Sequence, residues 1–160
     1  MRTPFALSNE TPRPVPASQS LAAIVGGWQS DTVAGTAARS DCSWSPQGTA
    51  VICEQTITSN QGERHVVNVY TTEAGSGRHY YYGIPQPGES ALPTALEIKD
   101  RVWIYGGKVA AQNGQFVRTV NDFSKAGGYV WRTETSVDGI NWNPVRGGSV
   151  KAVPQAGDKY

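Results

Sequence analysis

Leu21-Ala22-Ala23-Ile24-Val25-Gly26-Gly27-Trp28 is the stretch at which the chain changes character. Ahead of it, residues 1–19 hold Pro4, Pro12, Pro14 and Pro16 among Ser and Thr, with no periodic apolar pattern. That composition reads as a disordered tail with polyproline character. Ser18 or Ser20 is placed to cap one short helical turn over Leu21, Ala22 and Ile24. Behind it, strand-like runs follow near 26–34, 38–45, 49–58, 64–72, 78–84, 94–99, 101–106, 115–123, 128–136 and 142–152. Short strands at such regular spacing predict an antiparallel meander closed into a barrel or packed as a sandwich. The expected organisation is a tail over 1–19, one barrel domain over 20–153 and a C-terminal tail over 154–160.

The turns between these runs carry their own physics. Asn113-Gly114 predicts a type I′ turn, because both residues tolerate positive φ, and Asp138-Gly139 is a second candidate. Lys99-Asp100, Gly75-Ser76-Gly77 and Gly127-Gly128 punctuate the remainder. Consecutive hairpins imply antiparallel neighbours, since parallel pairing would need crossover helices that the sequence lacks. His65, Val67, Val69 and Thr71 alternate with Val66, Asn68, Tyr70 and Thr72, and Arg101, Trp103 and Tyr105 alternate with Val102, Ile104 and Gly106. Neither face is purely polar, which suits a closed barrel with a semi-polar lumen. Closure also removes the exposed edges that a long meander would carry. Gly83 to Pro93 is the one long connection, and its three prolines suit a rim loop, a lid or a rigid connector.

Composition agrees. The 160 residues suffice for one domain, with 18 Gly, 5 Trp and 7 Tyr but only 17% charged residues against roughly 25% in ordinary soluble domains. Few charges, many aromatics and many glycines favour strands and turns over surface helices. A net charge of +1 with scattered Lys and Arg gives no field to recruit nucleic acid. No apolar run approaches the about 18 residues that a membrane-spanning helix needs. No apolar core of a signal peptide follows Met1 to Leu7. A chain whose signal peptide had been replaced by Met1 would read the same, so cytoplasmic and exported locations both stay open. Cys42 and Cys53 flank Ser45-Pro46-Gln47-Gly48, and a turn centred there sets them opposite each other. They are either a cross-strand disulfide or two reduced apolar side chains.

Gly26 and Trp28, led by the helical turn at 20–25, resemble the opening of a lipocalin-type barrel, in which Gly-x-Trp starts the first strand. The likeness is closest to bacterial lipocalin-like domains of unknown function. These share a Trp-bearing second strand, here Cys42-Ser43-Trp44, and a late hairpin, here Ser136-Val137-Asp138-Gly139-Ile140-Asn141-Trp142. The resemblance covers about residues 20 to 153 and implies an up-and-down barrel of 8–10 strands, with Trp28 plugging the closed end. It implies a covering cation over Trp28, for which Arg146 and Lys151 are the candidates, and puts function at the opposite, open end. The late hairpin is also similar to the Asp-box of sialidase propellers. A single copy reads as a structural hairpin.

Candidate chemistry is sparse. His79-Tyr80-Tyr81-Tyr82 is the densest aromatic cluster, with His79 and Tyr81 on one face. A lumen of this kind would draw on Tyr70, His79, Tyr81, Trp103 and Tyr105, with Arg118 and Arg132 for an acidic group. These predict a binding barrel for a small hydrophobic or aromatic molecule, monomeric or homodimeric. The alternative is a cofactor-independent lyase, isomerase or hydrolase using His79 with Tyr81 or Glu54 as acid–base pair. Two histidines, His65 and His79, lack a third metal ligand at zinc spacing, so no metal is expected; a single axial histidine for haem is a weaker option. No catalytic triad order, phosphate loop or Cys-x-x-Cys is present.

Overall fold

The computed structural model of the chain describes residues 16–83 and 93–155. Ten antiparallel strands close into a barrel: β1 (Gly26–Ser30), β2 (Ala37–Trp44), β3 (Ala50–Ser59), β4 (Gly62–Thr72), β5 (His79–Gly83), β6 (Thr94–Lys99), β7 (Val102–Gly106), β8 (Phe116–Asp122), β9 (Gly128–Ser136) and β10 (Asn143–Val153). Each strand pairs with its sequence neighbours, and β10 returns to β1, so the order around the wall is the order along the chain. The up-and-down topology expected from consecutive hairpins is the one observed. The expected rim loop falls almost entirely on 84–92, outside the described residues.

Turn chemistry departs from expectation in detail. Of the pair Asn113-Gly114, Gly114 alone takes a positive φ, at 77°. The Gly114 N–H donates to the Ala111 carbonyl, and the Ala111 N–H donates to the Gln115 carbonyl. This is a three-residue loop with glycine in the left-handed position, which serves a hairpin as well as a type I′ turn. At Asp138-Gly139, likewise, Gly139 alone is left-handed. There the Asp138 carboxylate accepts N–H bonds from Ile140 and Asn141, both at 2.8 Å, and the Ser136 hydroxyl at 2.9 Å. Those bonds pull the Asp138 carboxyl far below the usual carboxylate range. The hairpin is therefore held by its own carboxylate, as the structural reading of this motif required.

One end of the barrel is closed by a 3-10 helix, Pro16–Ile24, which starts four residues ahead of the expected helical turn. Its buried residues are Ser18, Leu21 and Ile24. Three residues per turn put that spacing on one stripe, which faces the barrel. Trp28 then inserts beneath the helix, and its indole N–H donates to the Ile24 carbonyl at 2.7 Å. Gly26 has φ 138°, a value that side chains disfavour. A Cβ on Gly27 would lie 2.4 Å from the Val153 carbonyl oxygen of β10. Both glycines are thus required where β1 seals the barrel. Trp28 is covered by the edges of Phe123 and Tyr129, at 6.0 and 5.2 Å between ring centroids. Neither expected cation covers it. Lys151 pairs with Gln29, one position off the Trp28 face, and Arg146 lies near the other end of β10.

Above Trp28 the lower lumen is filled. Trp103 and Val51 are fully buried, and Leu96 and Phe123 nearly so. Cys42 and Cys53 are register partners on β2 and β3 and form a disulfide in this same layer. Of the two readings open for these cysteines, the bridge is the one present.

Candidate functional site

The opposite end of the lumen is not filled. A cup of about 400 Å³ opens there, lined among others by Gln55, Asn68, Tyr70, Tyr81, Tyr105 and Asn121. Period-two alternation puts these side chains inside: Tyr70 pairs with Tyr81, Tyr105 with Thr119, and Asn121 with Trp131. The β5–β6 connection leaves Gly83 and re-enters at Thr94 beside the cup.

The three tyrosines form its floor. Tyr70 meets Tyr81 at 5.2 Å and Tyr105 at 6.2 Å between centroids, and Tyr81 meets Tyr105 edge-on at 5.6 Å. Their hydroxyls are tied to amides on the walls. Tyr81 donates to Asn68 Oδ1 at 2.9 Å; Asn68 Nδ2 donates to Gln55 at 3.4 Å, and Gln55 to Ser40 at 3.1 Å. On the other side Asn121 Nδ2 donates to the Tyr105 hydroxyl at 3.2 Å, and Tyr105 donates to Tyr70 at 3.3 Å. Burial pushes the phenols of Tyr70, Tyr81 and Tyr105 above their ordinary value, because a phenolate would lose its hydration there. The tyrosine floor of the cup is therefore a neutral surface of aromatic faces and hydroxyls at physiological pH, with Arg118 at the rim.

The other sequence candidates lie elsewhere. Trp103 is packed below the cup, in contact with Tyr70 at 5.7 Å and Phe123 at 5.2 Å. His79 shares the inward face with Tyr81 but sits toward the closed end, with Thr72 Oγ1 2.8 Å from Nδ1 and Ser20 Oγ 3.1 Å from Nε2. Burial holds its imidazole below the ordinary value, so it is neutral at neutral pH. With both ring nitrogens engaged by hydroxyls, it ties the closing helix to the wall and lies away from the cup.

Arg118 and Arg132 were expected in the lumen; their register turns both toward the outer wall, with Arg118 still at the rim of the cup. Arg118 pairs with Glu134 and Val120 with Arg132, on the face opposite Thr119, Asn121 and Trp131. Both guanidinium groups reach Glu134 on the outer wall at 2.6 Å, and Arg118 also lies 4.1 Å over the Trp142 ring. Burial would raise the Glu134 carboxyl, but the two arginine contacts outweigh it and hold it below the usual range. An inward arginine would have needed a buried partner; the outer wall supplies one without desolvating the whole cluster. Glu54 is exposed on the outer face, paired in register with Asp41 and Val67. The acid–base set His79, Tyr81 and Glu54 is thus not assembled.

Asn68, Asn121 and Gln55 belong to the site and were missed. The available signal was an amide in mid-strand, where asparagine is disfavoured, on the face shared with Tyr70 or one pair from Trp103. A larger hollow of about 500 Å³ lies over the outer face of β5–β7. Glu97 there is paired to Lys99 at 3.1 Å and to Lys108 at 3.6 Å. No three potential metal ligands cluster among the described residues. Comparison of the chain with protein-family models and with curated proteins finds no match.

Proposed function

We propose that this protein is a binding barrel of lipocalin type for a small aromatic molecule, held in the cup at the open end of the lumen. The observation that carries the reading is the convergence of Tyr70, Tyr81 and Tyr105 with Asn68 and Asn121 around one cavity above a solid floor. Three ring faces supply apolar contact, and a few fixed polar groups supply orientation, the usual composition of a ligand pocket. At about 400 Å³ the cup is near the lower end of the roughly 300–1,000 Å³ range of such pockets, so the ligand is small. The acid–base reading draws no support from the placement of His79 and Glu54. The disulfide supports an oxidising compartment as the working environment.

Fluorescence titration tests the reading. Trp103 lies directly beneath Tyr70, so an aromatic ligand in the cup is expected to quench indole emission saturably. Replacing Tyr81 by Ala, which removes one of the three floor rings, is expected to weaken that binding at least about tenfold. Saturation unaffected by Tyr81→Ala would place binding outside the cup and sink the proposal.

A further inference from the structure

Resting on the reading of the cup as a ligand site, we infer that the ligand is an uncharged aromatic carbonyl compound whose oxygen is held by the Tyr70–Tyr105–Asn121 trio. The argument is a count of hydrogens. Tyr70 and Tyr105 carry one hydroxyl hydrogen each, and the contact of 3.3 Å between their oxygens consumes one of the two. Asn121 adds a donor to the Tyr105 oxygen at 3.2 Å, not an acceptor. One phenol hydrogen, that of Tyr70, is then left without an acceptor among the described residues. Turning the Asn121 amide over moves the surplus without removing it: Oδ1 would take the Tyr105 hydrogen, and both N–H bonds of the amide would be free. Either arrangement presents an unmatched donor to the cup.

The site around that donor is built, since Tyr70 is only 7% exposed and Asn121 only 8%. A buried donor left unmatched is costly, and an acceptor brought by the ligand removes that cost. The opposite wall has the same bias, because Asn68 and Gln55 each spend one of two amide hydrogens on the chain leading to Ser40.

Charge separates the acceptor classes. A carboxylate would need a cation to offset its lost hydration. The guanidinium at the rim of the cup, Arg118, is already neutralised by Glu134 and stacked on Trp142. A ketone or aldehyde oxygen accepts hydrogen bonds without that cost. The rings of Tyr81 and Tyr105, nearly perpendicular at 89°, give a planar ligand one face and one edge to meet. The stem attached to the carbonyl is therefore aromatic.

The test compares acetophenone, ethylbenzene and benzoate on the full chain. Acetophenone is expected to bind about tenfold more tightly than ethylbenzene, the difference a recovered hydrogen bond makes, and more tightly than benzoate. Its carbonyl stretch is expected to move to lower wavenumber in the complex. Tyr70→Phe alone would free the Tyr105 hydrogen. The variant lacking all three groups, Tyr70→Phe with Tyr105→Phe and Asn121→Leu, should therefore abolish that movement and equalise acetophenone with ethylbenzene. Val51→Ala, a change in the filled layer, should leave both readouts in place. Equal binding of acetophenone and ethylbenzene by the native chain would overturn the carbonyl inference and leave the cup reading standing. Preference for benzoate would overturn its neutrality. Failure of all three compounds to bind saturably would remove the cup reading itself. Thermal unfolding checks that the triple variant is folded; if it is not, the acetophenone–ethylbenzene difference and the carbonyl shift on the native chain decide the inference by themselves.

Discussion

The two halves of one lumen are built from the same kinds of strand yet have opposite character. Toward the closed end, Trp28, Trp103, Phe123, Leu96 and the Cys42–Cys53 bridge pack into one buried cluster. Toward the open end, the inward positions of the same strands carry Gln55, Asn68 and Asn121, and the space between them is empty. β3 shows the transition within one strand: Val51, Cys53 and Gln55 are successive inward residues. β4 reverses through Tyr70 to Asn68, and the end of β8 through Phe123, the residue that follows it, to Asn121. The tyrosines stand at the boundary, their rings in the dry half and their hydroxyls in the polar one. Stability is concentrated in one half and recognition in the other.

That division can be broken first by attacking the filled half. Trp103→Ala empties the centre of the aromatic layer and is expected to cost about 3–5 kcal/mol, seen as a lower urea midpoint. A loss below about 1 kcal/mol would mean that this layer does not carry the fold. Gly27→Ala belongs to the same class, since its Cβ would meet the Val153 carbonyl at 2.4 Å and force β1 from β10. Chemical denaturation should show a loss of about 1–3 kcal/mol.

Reducing the disulfide is the next largest change. The bridge closes a loop between residues 11 apart, for which chain-entropy arguments give about 2–4 kcal/mol. Denaturation with and without reductant measures it, and equal midpoints would show that packing alone holds β2 against β3.

Alkali probes the boundary. The raised phenols of Tyr70, Tyr105 and Tyr129, the last pushed up to about 12, keep their protons in the fold. The unfolded chain releases them from about pH 10. Their contribution is fully present below pH 10 and is lost as pH rises toward and past 12, at up to about 1.4 kcal/mol per pH unit for each phenol. Stability that stays flat from pH 9 to 12 would show the phenols to be hydrated.

Changes confined to the cup should be smallest for stability. Tyr81→Phe removes one hydrogen bond to Asn68 and is expected to cost about 1 kcal/mol or less. The sharpening result is a variant that unfolds nearly as the parent does but binds aromatic ligands more weakly.

Much of this was legible beforehand. Ten strands, their boundaries to within a few residues and their up-and-down order follow from turn residues and period-two alternation, which are local properties. Tyr70, Tyr81 and Tyr105 stood out as aromatics on shared strand faces. The arginines did not resolve, because Arg118 and Arg132 alternate with residues as polar as Thr119 and Thr133. When both faces mix polar and apolar side chains, alternation says which residues travel together without saying which set faces in.

Chain-local chemistry, then, determined the strands, the hairpin order and the glycine-led entry into β1. A turn needs only the residues within it, and a pleat alternates in any sheet. Only closure of the barrel decided the rest: that Glu134 gathers both arginines outside, that His79 is tied to the closing helix, and that Asn68 and Asn121 meet three phenols across the lumen. Apart from Arg132 and Glu134, which are two residues apart on one strand, those partners lie between 7 and 59 residues apart in sequence. Their meeting depends on the register of the whole wall, which no single strand contains.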